Sequence, residues 1–413
     1  MNTALPHAAM DQFAVRGGEL VVGGVALGEL AARVGQTPFY AYDSALLTAR
    51  VAQLRAALPA GIQLHYAMKA NPMPAVVGCM VALVDGIDVA SAGELEVALA
   101  AGADPAGISF AGPGKREVEL HRAVAAGVLV NVESMRELPL LAAAAQALGR
   151  PARVAVRVNP DYELKGSGMK MGGGPRPFGV DAEAVPAVLA AIRDLGQHGL
   201  AFEGFQLYVG SQNLRAQALC QAQLQSFELA LRLAEHAPAP VRSLNLGGGF
   251  GVPYFPGETR LDLAPIADNL HAIAQRAKDL LPQAAIVIEL GRYLVGEAGV
   301  YVARIIDRKV SRGQVFLVVD GGLHHHLAAS GNFGQVLRRN YPVTIGNRMG
   351  AAEVELASVV GPLCTPLDLL ADRMMLPVAR EGDLVVVFQS GAYGLSASPH
   401  AFLGHPRCAE VLV

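Results

Sequence analysis

The chain is short of charge, of cysteine and of long apolar runs, and each shortage excludes something. Charged residues make up 17% of its 413 residues and the formal net charge is −3, so it presents no basic field for nucleic acid. Its four cysteines, Cys79, Cys220, Cys364 and Cys408, are too scattered for a zinc-ligand spacing or a disulfide framework. That usage suits a reducing, cytoplasmic setting. No uninterrupted apolar stretch approaches the ~18 residues that span a bilayer, so membrane insertion is not expected. Met1–His7 lacks a basic segment followed by an apolar one, so a secretory signal is not expected either. Apolar residues, at 52%, are ample for a large core, and a chain of this length divides naturally into two domains.

Eight short β-type runs can be read in order, at 62–68, 87–90, 107–111, 128–132, 153–158, 203–209, 243–246 and 285–289. Between most of them lie Ala-, Leu- and Glu-rich stretches with helical spacing, such as Gly93–Ala100. Gly102, Gly127 and Gly149 follow such stretches where a helix C-cap falls. Strand alternating with helix predicts parallel pairing, and eight repeats favour closure into an α/β (β/α)8 barrel of the TIM type over an open sheet. The flanks differ. Residues 12–22, 299–309, 315–319, 352–360, 383–388 and 409–413 read as strands with few helices between them. We therefore expect a barrel over residues 37–290. Residues 1–36 and 291–413 would form a β-sandwich or β-barrel-like unit, a C-terminal β-domain completed by the N-terminal strand. One connection, 159–182, holds six glycines and three prolines together with Lys165, Lys170 and Arg176. A loop of that length is more often a functional lid than filler.

In such a barrel the active site gathers at the carboxyl ends of the strands, and chemically useful residues stand there. Lys69 ends the first run, an amine placed to form a Schiff base. Asp88 and Ser91 close the second, with Glu94 three residues on. Arg157 ends the fifth, Tyr208-Val209-Gly210-Ser211-Gln212 the sixth, and Gly247–Gly251 follows the seventh. The eighth ends in Glu289-Leu290-Gly291-Arg292. Taken singly, each has a plainer reading: the lysine as a solvated strand end, the glycines as a turn. Together they are more specific. A glycine run lets backbone N–H groups approach a phosphate, and an arginine one strand later strengthens that reading. A carboxylate such as Glu289 beside a pyridine nitrogen holds it protonated and makes the ring an electron sink. Lysine, phosphate cradle and acid predict a pyridoxal 5′-phosphate site.

These residues sit within a longer ordered series of motifs: Tyr40–Asp43, Tyr66–Asn71, Asp88–Leu95, Gly210–Gln212, Gly247–Gly249, Glu289–Arg292, Gly361–Asp368, Gly391–Tyr393 and Ala409–Val413. In them the whole chain resembles the fold type III (alanine-racemase-fold) pyridoxal phosphate-dependent decarboxylases, the group of the diaminopimelate and ornithine decarboxylases. The resemblance implies a homodimeric carboxy-lyase of amino-acid metabolism with shared active sites. Lys69 would form the internal aldimine and Glu289 would meet the pyridine nitrogen. Ser211, Gly248, Gly249, Arg292 and Tyr393 would hold the phosphate, with Asp88, Arg157, Tyr208 and Gly291 among the cofactor's surroundings. Cys364, supplied by the partner subunit, would return a proton after carbon dioxide leaves. Thr365, Asp368 and Tyr393 would meet the substrate. The 159–182 loop is expected to exclude water, which favours decarboxylation over side reactions.

Three departures from the family pattern bear on the substrate. The acidic residue that follows the family's cysteine, and pairs with a distal amine, is here Thr365; a buried ammonium without a carboxylate is costly. The family's ring-stacking histidine is replaced by Tyr208, which can still stack. The arginine-proline segment that grips a remote carboxylate gives way to Asp320–His326 and Arg338–Pro342. The three adjacent histidines there do not predict a metal, since successive residues of a strand face opposite ways. Ser167–Pro175 together with Cys364-Thr365-Pro366 is most similar to decarboxylases associated with exosortase and exopolysaccharide clusters, and to relatives that act on aminoacyl groups held by an acyl carrier protein. A tethered substrate has a neutral far end, which accounts for Thr365, and Lys165, Lys170 and Arg176 would then face an acidic carrier or simply be solvated. A free amino acid such as diaminopimelate stays open as the substrate. A racemase of the same fold is disfavoured by the Gly-Pro-Leu-Cys segment, and an inactive regulatory relative by the intact Lys69 and cradle.

Overall fold

Strands that carry a polar residue at every second position, with apolar neighbours between, can line a bore with one face and pack helices with the other. The computed structural model describes residues 6–413 apart from Leu164, Lys165, Ser167 and Val336, and it shows this alternation closed on itself. The eight strands are Gln63–Ala67, Gly86–Val89, Ile108–Phe110, Leu129–Val132, Ala152–Asn159, Leu200–Leu207, Ser243–Gly248 and Ala285–Leu290. Each pairs in parallel with the next, and the eighth pairs with the first, Glu289 beside His65. One set of alternate residues is apolar and fully buried: Leu64 and Tyr66, Val154 and Val156, Leu244, Ile288. Burying each such side chain stabilises the fold by about 1.5–3 kcal/mol. The other set, His65, Asp88, Ser109, Asn131, Arg157, Gln206, Asn245 and Glu289, is polar and also buried.

Helices such as Ala92–Ala100, Glu117–Ala126, Glu137–Leu148 and Ala216–Ala234 connect the strands. Gly127 and Gly149 end two of them in the left-handed conformation, as the glycine positions predict. Ser91 caps another by accepting the amide of Glu94, whose own carboxylate accepts the amide of Ala90. Both residues are therefore committed to starting that helix. No helix among the described residues is long and apolar enough to cross a membrane.

The chain separates into a barrel unit, Arg50–Gly251 with Leu261–Gly291, and a second unit formed by the residues up to Ala49, Val252–Arg260 and Arg292–Val413. The expected boundaries at 37 and 290 shift for two reasons. Phe39–Tyr42 pairs with Gly299–Ser311 on one side and with Ala409–Leu412 on the other. Val252–Arg260 carries Tyr254 and Phe255, whose rings pack on Tyr341. The main sheet of this unit runs Val343–Ile345, Leu384–Val387, Gly299–Ser311, Gln314–Val319, Val354–Val360, Leu369–Pro377. Phe39–Tyr42 is thus the N-terminal strand that completes it. Residues 12–22, expected in that role, instead make a small meander with Val25–Ala26, because Gly17-Gly18 and Gly23-Gly24 reverse the chain with positive φ. Leu20, Val22, Leu27, Phe39, Val300, Val302 and Val386 form the core there.

The three histidines lie in a turn rather than on a strand, so strand alternation does not describe them. His325 Nε2 is 2.9 Å from the carbonyl of Pro406 and His326 Nε2 is 2.9 Å from Ser390 Oγ. Burial pushes His326 down to about 3, and His324 and His325 to about 4. The unfolded chain binds protons at these rings from about 6.5 downward while the folded chain does not, so stability falls as pH drops through that window. His326→Gln, whose amide can still reach Ser390, should weaken this dependence. We expect the loss of unfolding free energy between pH 7 and pH 5, read from urea midpoints, to be smaller in the variant by roughly 1–2 kcal/mol.

Candidate active site

A carboxylate placed in the bore of a barrel needs donors from neighbouring strands. Glu289 Oε2 accepts Gln206 Nε2 at 2.7 Å and Asn245 Nδ2 at 3.2 Å, which come from the sixth and seventh strands. Burial, and then the carboxylate of Asp88, raise its pKa, while Lys69 and Arg157 pull it back. On the other side of the bore, Asp88 Oδ1 takes His65 Nδ1 at 3.2 Å and the hydroxyl of Ser109, and Ser109 Oγ takes Asn131 Nδ2 at 3.3 Å. Asp88 Oδ2 is buried and has no hydrogen-bond partner among the described residues.

Lys69 lies one turn past the first strand, in the short 3-10 segment Met68–Ala70 rather than on the strand itself. Its Nζ sits 5.4 Å from the centroid of the Tyr208 ring, so the tyrosine offers the amine an aromatic face. Lys69 also lowers the pKa of Glu94, although burial dominates there and the net shift is upward. Lysine, tyrosine and buried acid therefore share one end of one barrel.

Arg157 reaches that interior but is already engaged. Its Nη1 donates to Glu133 Oε1 at 2.9 Å and its guanidinium stacks 5.1 Å from Phe178. It acts on Glu289 by charge rather than by contact. Glu133 also accepts the amides of Gly112 at 2.5 Å and Gly179 at 2.9 Å, so this carboxylate ties the fifth strand to the returning end of the 159–182 loop. Nearby, buried Lys115 donates to two backbone carbonyls and pairs with Glu137 at 3.1 Å.

The loop is stitched to the barrel at several points. Met169–Lys170 pairs antiparallel with Gly210–Ser211, and Asn159 holds Gly173, Gly174 and Asp181. The loop therefore lies against the strand end that carries Ser211. Of its three cations, Lys165 lies outside the described residues, as does Ser167 of the motif. Arg176 is spent on the carbonyl of Gly173 and on Glu163.

The glycine run meets the demand of a phosphate cradle. A Cβ on Gly248 would stand 2.1 Å from the carbonyl oxygen of Glu289, and one on Gly247 2.6 Å from that of Leu207. Gly249 has φ +80. Side-chain-free backbone is thus required where the sixth, seventh and eighth strands end, and a Cβ on Gly291 would likewise stand 3.0 Å from the carbonyl oxygen of Ala67. In the second unit, Arg292 Nη1 donates to Tyr254 Oη at 2.9 Å, and its guanidinium lies over the rings of Tyr393 at 4.5 Å and Tyr254 at 5.3 Å. Its Nε–H is buried without an acceptor among the described residues, an open donor of the kind an anion satisfies. Within the barrel unit, an amine, a buried acid and a cradle without Cβ atoms fit pyridoxal 5′-phosphate.

The substrate-side candidates divide. Cys364 is exposed in the single chain, and Thr365 Oγ1 accepts the amide of Leu367 at 3.3 Å. Asp368 is engaged by the backbone of its own unit. Its two oxygens accept the amides of Leu323 at 2.6 Å and Leu363 at 2.8 Å, and Gly322 and Gly361 press against it. It clamps the turn through both oxygens. Arg338 is bound to Asn340 and to the carbonyls of Ser330 and Leu369. Arg339 stacks 3.7 Å from the Phe255 ring centroid.

His65, Gln206 and Asn245 escaped sequence reasoning, although single polar residues inside apolar strands are their signal. Tyr254 had no such signal, because an aromatic beside proline usually belongs to a core.

Comparison with known proteins agrees with this geometry. The pyridoxal binding domain of the pyridoxal-dependent decarboxylases matches residues 44–296. The chain is 41% identical to the L-glutamyl-(BtrI acyl-carrier protein) decarboxylase of Niallia circulans, over 91% of this chain and 89% of that one. It is 33% identical to the diaminopimelate decarboxylase of Aquifex aeolicus (strain VF5), over 96% of this chain and 91% of that one. The crystal structure of diaminopimelate decarboxylase from Helicobacter pylori complexed with L-lysine aligns with a TM-score of 0.82 at 26% identity, covering 94% of both chains.

Gly248→Ala tests the cradle. Relief of the contact with the carbonyl of Glu289 must part the seventh and eighth strands, so urea unfolding of the cofactor-free protein should show a loss of roughly 1–3 kcal/mol. Cofactor affinity, read by absorbance titration, should fall with it.

Proposed function

The chain belongs to the pyridoxal-dependent decarboxylases and is a pyridoxal 5′-phosphate-dependent carboxy-lyase, and we propose that it decarboxylates an aminoacyl group carried on an acyl carrier protein. One observation carries this reading: the turn Gly361–Asp368 offers no free carboxylate. Thr365 is neutral, and both oxygens of Asp368 are held by backbone amides. The one carboxylate of this turn is already engaged by the backbone rather than presented to a distal ammonium, whereas a thioester-linked group needs no counter-charge. Arg338 and Arg339 are likewise held within their own unit, which disfavours a free distal carboxylate. The 41% identity to an enzyme named for a carrier-bound glutamyl substrate supports the same direction.

When bound, the cofactor supplies the sink for the electrons of the breaking bond between Cα and the carboxylate. Lys69 is the residue proposed to hold it covalently, with Tyr208 presenting a ring face beside the amine. Glu289, fixed through one oxygen by Gln206 and Asn245, is matched to share a proton with the pyridine nitrogen. Its own proton affinity is raised by burial and by Asp88. Ser211, Gly248 and Gly249 would receive the phosphate at the strand ends, with Gly291 packed beside them. Arg292 and Tyr393 keep the phosphate role implied by the family resemblance, and Tyr393 a place near the substrate. The stitched 159–182 loop would exclude water from the reacting carboxylate.

Cys364 is the proposed proton donor to Cα. Its exposure, with that of neighbouring Leu367, supports a homodimer in which this turn of one protomer completes the site of the other. Four free cysteines support a cytoplasmic setting.

The test is carbon dioxide release by the cofactor-loaded protein, offered glutamyl-carrier protein and, separately, free diaminopimelate, lysine, ornithine and arginine. We expect kcat/KM on the carrier-bound group to exceed that on any free diamino acid by about a hundredfold or more, the scale on which an unpaired buried charge discriminates. Comparable turnover of free diaminopimelate would sink this reading in favour of the activity named for the Aquifex aeolicus relative. Cys364→Ala should lower kcat by about 10²–10⁴-fold with little change in KM, as loss of an acid catalyst does.

A further inference from the structure

His65 is a buried titratable group that the proposed mechanism does not use. It projects from the first strand into the bore, beside Glu289 of the eighth in the strand register. Its Nδ1 is 3.2 Å from Asp88 Oδ1. The seat is built for the ring. Gly86 on the adjacent strand has no side chain there, and a Cβ at that position would lie 2.4 Å from His65 Nε2. Asp88 has one oxygen shared between His65 and Ser109 and the other buried without a partner among the described residues. Such a carboxylate depends on a nearby cation.

We infer that His65, as an imidazolium, supplies the counter-charge to Asp88 and thereby governs the charge of Glu289, making it a positioning residue for the cofactor's ring nitrogen. The inference rests on the proposed role of Glu289. Its electrostatics are plain. Two carboxylates, Asp88 and Glu289, occupy one low-dielectric bore, and the charge of Asp88 makes Glu289 harder to ionise. Lys69 and Arg157 act on Glu289, but Arg157 is already paired with Glu133. His65 is the cation in contact with Asp88 among the described hydrogen bonds.

The groups that face His65 can be enumerated. From the second strand and its approach come Asp88 and Asp85, the latter held by the Leu64 amide and by Arg55. From the eighth strand comes Glu289. Burial opposes charging of the ring, but Asp88, Glu289 and Asp85 outweigh it, and its pKa is raised above 6.5. A raised value means that any stability contributed by the charged ring is complete below about pH 6.5 and is lost as pH rises through the folded value.

Two variants and one spectrum test this. His65→Gln retains a hydrogen-bond donor to Asp88 without the charge, and His65→Phe removes both. We expect each to bind pyridoxal 5′-phosphate about tenfold more weakly at pH 7, the equivalent of one pKa unit at Glu289. In the cofactor-free protein, the His65 ring resonance, assigned by its absence from His65→Gln, should titrate above pH 6.5, and Asp88→Asn should move it below. A glutamine variant that binds cofactor as tightly as the wild type would show that the hydrogen bond suffices and would overturn the inference. A ring that stays neutral down to pH 6 would overturn it as well. A wild-type protein that fails to bind the cofactor would instead remove the role given to Glu289, and the ring titration would still decide whether His65 is charged against Asp88.

Discussion

The buried acid in the bore is the constraint on which the barrel depends. An ionisable group taken out of water is tolerated only with donors and counter-charge at hand, and here nearly every strand answers to that requirement. Glu289 draws Gln206 and Asn245 toward it. His65, Ser109 and Asn131 gather around Asp88, and Arg157 contributes charge from the fifth strand. A network of this kind is stronger than its pairs when complete and costly when broken. It turns the interior of the barrel from a filler of apolar layers into a chemically specified ring, and it holds Glu289 in one orientation.

The same ring reaches outward to the loop that covers the strand ends. Arg157 binds Glu133, and Glu133 in turn accepts the amides of Gly112 and Gly179. The loop 159–182 is anchored at its return by a carboxylate that also orients an interior cation. At its middle it pairs with Gly210–Ser211. A long glycine-rich connection is entropically expensive to order, and these fixed points offset part of that cost. Lys115, buried and drawn downward in pKa by desolvation, supports the arrangement from below through Glu137.

The substrate reading turns on what the second unit withholds. Its charged residues near the Gly361–Asp368 turn and the Arg338–Pro342 stretch are consumed in holding the backbone: Asp368 by two amides, Arg338 by two carbonyls. A side chain that stabilises a turn in this way is oriented by the backbone rather than toward a ligand's far end. The neutral character read at Thr365 is therefore extended to its neighbours by hydrogen bonds that no motif displays.

Much of the molecule was legible without coordinates. The eight barrel strands lie within a few residues of their expected positions because alternation and glycine punctuation are local signals. Lys69, the glycine run and Glu289 were readable because chemistry at a strand end depends on residue type and order along the chain. The rest depended on contacts between residues distant in sequence. Phe39–Tyr42 belongs to the second unit because Gly299–Ser311 and Ala409–Leu412 pair with it, and nothing local distinguishes it from a barrel strand. Asp368 shows in its motif no sign of the two backbone amides, of Leu323 and Leu363, that its carboxylate holds in the fold. His65 looks like an incidental polar residue and stands against Asp88, 23 positions away. Residue type and spacing pointed to the cofactor, since these specify which groups can exist at each strand end, and the family resemblance of the motifs gave the reaction class. How those groups are oriented and which internal partners they hold was decided only by the tertiary structure, since hydrogen bonds and ion pairs form between residues distant in sequence.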